Sequence, residues 1–242
     1  MHTFHLEWRK FRFDSDSSCL LSLYAVFLAN EYGFLLNALS KDDVVIDAGA
    51  NIGAFAIPAS IRAKKVFAVE PHPSNYNFLK KNISQNCVHN ITPINAAFSD
   101  RMGSGFLNGE GEGAHLDQFG LPVDTITFDS LLDNSPTVLK IDIEGTEIRA
   151  LKALKSWSHI RAIAVETHNT YQETKEILVG AGYALREYRT TRLMLLKNAI
   201  TIAGDRIVPR WECALSTLPI LFDSGCLKGV RLPSKHDTQF IR

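Results

Sequence analysis

Val44-Val45-Ile46-Asp47-Ala48-Gly49-Ala50-Asn51-Ile52-Gly53 reads as a buried strand, a carboxylate and a tight turn leading into a helix. A short apolar run closed by glycine is the pattern of a strand covered on both faces. Glycines at 49 and 53 let a ligand approach the backbone in the crevice beyond the carboxyl ends of the strands. The dinucleotide fingerprint G-x-G-x-x-G lacks its middle glycine here, and Asp47 sits where a diphosphate would be repelled. A cationic or zwitterionic ligand suits this loop better. S-adenosylmethionine (SAM), with its sulfonium and amino-acid end, is such a ligand.

Outward from this stretch, short β-branched runs alternate with helix-length segments, the signature of repeated βαβ units. The pattern predicts strands over 44–48, 65–70, 91–97, 138–142 and 162–166, with helices over 54–63, 74–85, 146–155 and 171–181. Two further strands, 183–188 and 192–196, are close enough for an antiparallel hairpin through 189–191. The expected fold is α/β: a doubly wound, mostly parallel Rossmann-like sheet with an antiparallel edge hairpin. The glycine-rich insert 102–122 predicts a mobile loop or short irregular hairpin, followed by a strand near 123–128. Upstream, 19–29 predicts a buried helix capped by Asp16 or Ser17. Three parts result: an N-terminal helical segment (1–40), a main domain (41–198) and a C-terminal appendage (199–242) whose shape the pattern does not define. Pro58 falls inside the first predicted helix, at an expected cost of about 3 kcal/mol unless the helix kinks.

The 242 residues are 45% hydrophobic and 21% charged, an ordinary globular composition that excludes wholesale disorder. Lys plus Arg (26) balances Asp plus Glu (26), so the overall basic field of a dedicated nucleic-acid binder is missing. No apolar run approaches the roughly 18 residues that span a bilayer. Four widely separated cysteines fit a reducing compartment, and the expected location is cytoplasmic. Cys213 and Cys226 lack partners at zinc-like spacing, and no metal is expected, although Asp142 and Glu144 carry the oxygen donors a divalent cation takes. Hydrolase and P-loop motifs are absent.

Glu70, at the end of the second predicted strand, is placed to accept hydrogen bonds from both hydroxyls of an adenosine ribose. NAD binders share this feature. Taken in order, D-A-G-A-N-I-G (47–53), V-E-P (69–71), N-A-A-F-S-D (95–100), V-D-T-I-T-F-D-S-L-L (123–132) and L-K-I-D-I-E-G-T-E (139–147) resemble the FkbM-type family of SAM-dependent methyltransferases. The resemblance spans about residues 30–197. It implies a class I methyltransferase fold and O-methylation of a hydroxyl on a sugar, glycan or other small molecule. It assigns Asp47, Gly49, Ala50, Asn51 and Gly53 to the methionine-end loop, Glu70 to the ribose, and Asn95 and Ala96 to the border of the adenine. Asp142 and Glu144 come to lie near the methyl group, and the segment 30–33 is expected to cover the SAM site.

A hydroxyl nucleophile benefits from a base. His168, just past the fifth predicted strand, has a suitable ordinary pKa of about 6.5, and Asp142 and Glu144 are the competing bases. Each has a plainer reading: His168 as a loop histidine in a structural hydrogen bond, Asp142 as a partner of Lys140 or Arg149, and Glu147 as a helix-dipole stabiliser. Two other functions stay open, SAM-dependent methylation of nucleic acid or protein and a non-catalytic SAM-binding scaffold; a nicotinamide-dependent oxidoreductase is a third. The expected partner is a small-molecule or carbohydrate hydroxyl substrate, with neither nucleic acid nor membrane, and self-association is left open.

Overall fold

The computed structural model describes residues 4–8, 10–16, 19–28, 30–109, 113–187 and 238–241. Five short apolar runs become a parallel sheet: β3 (Val44–Ala48), β4 (Lys65–Val69), β5 (Ile91–Ile94), β10 (Val138–Ile141) and β11 (Ala162–Val165). With β12 (Ala184–Glu187) and β13 (Thr238–Ile241) they form a seven-stranded sheet in the order β12-β13-β11-β10-β3-β4-β5. Successive strand residues point to opposite faces, so Val45, Val66, Val138 and Ala162 join one core while Ile46, Phe67, Leu139 and Ile163 join the other. The first core is closed by α1 (Leu20–Phe27), α2 (Gly33–Ala38), α3 (Ala56–Ser60) and α4 (Pro73–Gln85). The second is closed by α5 (Glu147–Ala153), α6 (Tyr171–Gly180) and a 3-10 segment over Phe128–Asn134. This is the expected α/β, mostly parallel sheet.

From β3 the chain winds outward through β4 to β5, and it returns to β10 and β11 on the other side of β3. The order therefore reverses between β3 and β10, and ligands of open α/β sheets bind at such a switch point.

Several expectations are corrected. The antiparallel strand, β13, is inserted between β11 and β12 and pairs with both; it comes from the region expected to be an appendage. The expected strand 192–196 lies outside the described residues, as does most of 199–242. The N-terminal part is not purely helical, because β1 (Phe4–Trp8) and β2 (Phe11–Ser15) form a hairpin before α1. The expected cap Ser17 lies outside the described residues, and Asp16 is not the N-cap residue of α1. Its N-cap is Cys19, whose side chain makes no capping hydrogen bond and donates instead to Asn75 Oδ1 (3.2 Å). The glycine insert takes the hairpin alternative, with β7 (Gly103–Asn108) and β8 (His115–Asp117) paired antiparallel. These join β6 (Ala97–Phe98) and β9 (Leu121–Ile126) in a second sheet. Pro58 occupies the first turn of α3, where N–H groups have no intrahelical partner, so the expected cost does not arise. Among the described residues no helix is long and apolar enough to cross a membrane.

Candidate active site

The crevice is built where β3 and β10 end. Gly49 adopts φ +75, and a Cβ there would lie 1.7 Å from the carbonyl oxygen of Asp142. Only glycine lets the turn after β3 press against the end of β10. The turn is fastened from three sides. Gly49 and Ala50 donate backbone N–H groups to the Val69 carbonyl (3.0 and 2.9 Å), Asn51 N–H donates to Glu70 Oε2 (2.9 Å), and Lys140 Nζ donates to the Gly49 carbonyl (2.8 Å).

Glu70 is buried and also accepts from His72 N–H (2.9 Å) and Asn75 Nδ2 (3.3 Å). Burial nevertheless pushes its carboxyl up to about 7, against the lowering effect of these donors. Asn95 is exposed and donates through Nδ2 to the carbonyls of Glu70 (2.8 Å) and Pro71 (3.0 Å), while Ala96 beside it is buried. The residues expected to hold the cofactor thus form one rim along the carboxyl ends of β3, β4 and β5.

Asp47 lies beneath this rim, fully buried, and burial pushes its carboxyl up to about 6 in spite of the Lys140 ammonium 3.3 Å away. Among the described residues neither of its oxygens finds a well-aligned hydrogen bond. Lys140 is just as buried. Desolvation opposes its charge, but Asp47 and Asp142 outweigh that and hold the ammonium protonated.

On the β10 side of the crevice, Asp142, Glu144 and His168 come together as expected. One ligand atom from each lies within 4.8 Å of the others, a spacing that suits a divalent cation. His168 Nε2 stands 3.4 Å from Glu144 Oε2, 3.8 Å from Glu166 Oε1 and 3.9 Å from Asp142 Oδ1, while Nδ1 lies 2.9 Å from Glu147 Oε1. Burial alone would lower the imidazole's pKa. The hydrogen bond that Nδ1 donates to Glu147 and the charges of Asp142, Glu144 and Glu166 override it and raise the group to about 10. The ordinary value of about 6.5 expected from sequence is therefore corrected: in the free protein His168 is an imidazolium at neutral pH. Asp142 faces Lys140 at 3.5 Å, and Arg149 pairs instead with Asp100 at 2.8 Å.

Residues of the segment 30–33 contact the acids and the lysine of the crevice. Tyr32 is buried, its hydroxyl donates to Glu166 Oε2 (3.3 Å), and Lys140 Nζ lies 5.3 Å from its ring centroid. Glu31, also buried, adds its charge to Asp142 and to burial itself in raising the Glu166 carboxyl well above its ordinary range. Lys140, Glu147 and Glu166 carried no functional role in the sequence reading. The signal for Lys140 was present, since a lysine inside the apolar run V-L-K-I needs a buried acid beside it.

The methyltransferase FkbM domain is matched over residues 47–189, more than half of the chain. The chain belongs to the FkbM methyltransferase family. SAM is the cofactor of this FkbM chain, and the residues present fit it: carboxylates outnumber the cations Lys140 and His168 around the crevice, which suits a positively charged ligand. Among curated relatives, the hexuronic acid methyltransferase AglP of Haloferax volcanii is 31% identical over 144 residues, covering 55% of this chain and 59% of its own. A tRNA (guanine(37)-N(1))-methyltransferase of Phytophthora infestans is 34% identical over 64 residues, 26% of this chain and 16% of its own. The chain thus spans well under two thirds of these relatives. Among solved structures, M. jannaschii TYW2 in complex with AdoMet aligns over 78% of both chains with a TM-score of 0.48 and 16% identity.

Proposed function

We propose that this FkbM protein transfers a methyl group from SAM to a hydroxyl of a carbohydrate or other small polar molecule. The observation that carries the reading is the convergence of His168, Asp142 and Glu144 at the switch point, one strand away from the glycine turn. When bound, SAM supplies a methyl group made electrophilic by a positively charged sulfur. Glu70 accepts hydrogen bonds from the ribose hydroxyls, Asn95 and Ala96 border the adenine, and the turn 49–53 with Asp47 beneath it receives the amino-acid end. His168 and its neighbours hold the acceptor hydroxyl in line and remove its proton, and alignment in a dry crevice supplies much of the acceleration.

His168 must shed a proton before it can act as a base. A cationic ligand in the crevice offsets the carboxylates that keep it charged and so brings its pKa down toward neutrality. While His168 remains charged, Asp142 and Glu144 are the acceptors within reach. The catalytic unit is residues 41–198 together with β13, which completes its sheet, with 1–40 closing over the cofactor, and we place the protein in the cytoplasm.

A tRNA acceptor is the second reading, supported by the short matches to tRNA methyltransferases. The acidic crevice disfavours it, because phosphates approaching Asp142 and Glu144 meet like charge. The test is methyl transfer from isotopically labelled SAM to a panel of hexuronic acids, hexoses, glycosides and tRNA. We expect label in a methyl ether of a sugar or glycoside. Label confined to tRNA, or no SAM binding by calorimetry, overturns the proposal.

A further inference from the structure

We infer that Glu147 is a positioning residue for methyl transfer that acts through His168, fixing the imidazole so that Nε2 rather than Nδ1 faces the acceptor. The inference rests on His168 being the base proposed above.

An acid in the first turn of a helix is ordinarily solvated, and its interaction with the helix dipole contributes about 0.3–1 kcal/mol. Glu147 is instead fully buried. Burying a carboxylate is costly unless donors meet it, and three do. Oε1 accepts from Gly145 N–H (2.8 Å) and from His168 Nδ1 (2.9 Å), and Oε2 accepts from Thr170 Oγ1 (3.1 Å). Gly145 belongs to the turn that carries Asp142 and Glu144, whereas His168 and Thr170 belong to the loop after β11. Glu147 therefore joins the two loops that supply every proposed base.

Because a carboxylate oxygen can only accept here, the proton on Nδ1 is fixed and the lone pair of the neutral ring is assigned to Nε2. That nitrogen points to the side where Glu144, Glu166 and Asp142 converge within 3.4–3.9 Å. In the reaction the acceptor's proton goes to Nε2 and the Nδ1 proton stays in place. The groups facing His168 are Asp142 and Glu144 from the turn after β10, Glu147 from α5 and Glu166 from the end of β11. Lys140 backs Asp142, and Tyr32 and Glu31 back Glu166.

Glu147→Gln separates positioning from mere packing, since the amide oxygen still accepts from Nδ1 while the charge is lost and the amide NH2 donates to Thr170 Oγ1, a hydroxyl that can also accept. In the SAM-free variant we expect the NMR titration of the His168 C2 proton to move down by about 1–3 units. The pH limb of methyl transfer should move with it, with KM for SAM within about twofold. In a His168→Gln background the same substitution should leave the limb unmoved. An unshifted His168 titration in folded Glu147→Gln, or an equal loss of kcat with and without His168, overturns the inference. A second measurement needs no variant. Nitrogen-15 shifts of neutral His168 in the wild-type protein should report the Nδ1–H tautomer, and the Nε2–H tautomer overturns the inference. Full turnover by His168→Gln alone would remove the base assignment, while the titration and tautomer still decide the Glu147 contact.

Discussion

Lys140 and Asp47 occupy the same rung of β10 and β3, with their Cα atoms in register and Lys140 Nζ 3.3 Å from Asp47 Oδ1. Both side chains are buried, and the same ammonium donates to the Gly49 carbonyl. One cation thus neutralises the acid beneath the cofactor turn and fixes the turn itself. Lys140→Met leaves a buried, uncompensated carboxylate, so unfolding stability should fall by about 3–5 kcal/mol. SAM affinity should fall with it. A denaturant midpoint and a SAM titration both unchanged would mean that the ion pair holds neither.

Glycines 49 and 145 separate a close approach from a mere conformational preference. Both have positive φ, but a Cβ on Gly49 meets the Asp142 carbonyl, whereas one on Gly145 meets nothing within 4 Å. Gly145→Ala should cost about 1–2 kcal/mol for the left-handed backbone. Gly49→Ala should cost clearly more and abolish detectable SAM binding, because the turn must withdraw from β10. Equal losses in thermal unfolding would contradict this packing account.

Glu70 joins the turn after β3 to the start of α4 through three donors. Glu70→Ala should weaken SAM binding by about 1.5–3 kcal/mol through lost charge-assisted hydrogen bonds, and Glu70→Gln by less. Calorimetry with the intact protein measures both, and unchanged affinity in the alanine variant places the ribose elsewhere.

The sheet and the glycine turn were legible because both are local patterns: β3 was bounded to the residue, and the glycines at 49 and 53 marked their own turn. What stayed hidden depends on chain reversals. Nothing local to Thr238–Ile241 announces a strand between β11 and β12. Glu147 reads as a solvated helix start until the loop carrying His168 and Thr170 folds over it. The ionisation state of His168 was equally illegible, since it is set by carboxylates from three separate segments.

Asp43 offers a control far from the chemistry. At the opposite end of β3 its carboxylate accepts from Arg161 Nε, Thr137 Oγ1 and Ser40 N–H, at 2.8, 2.8 and 2.6 Å. Although partial burial acts the other way, these donors together hold its carboxyl well below the usual range. Asp43→Ala should destabilise the fold by about 1–3 kcal/mol, the cost of the donors left unmet, and leave SAM affinity of the folded protein unchanged. Loss of affinity in a variant still folded by circular dichroism would show that the two ends of the strand are coupled.

The pH dependence of stability follows from the same groups. His168 has its folded pKa raised from 6.5 to about 10, so its contribution is complete below 6.5 and is lost as pH rises through 10. Asp47, raised from 3.8 to about 6, and Glu70, raised from 4.5 to about 7, act in the same direction: each favours the fold below its ordinary pKa and loses that contribution as pH rises through its folded value. Asp43 has the opposite sense, with its contribution lost only as strong acid protonates it. Stability should therefore peak in mild acid and decline toward pH 10, with a slope of up to about 1.4 kcal/mol per pH unit for each group titrating. Urea midpoints in His168→Gln should flatten between pH 7 and 10, the window that His168 alone of these groups spans. SAM should flatten the wild-type curve in the same window, because a bound cation takes over from the imidazolium proton. If the wild-type midpoint is level across that window, the carboxylates around His168 do not hold its proton in the folded protein.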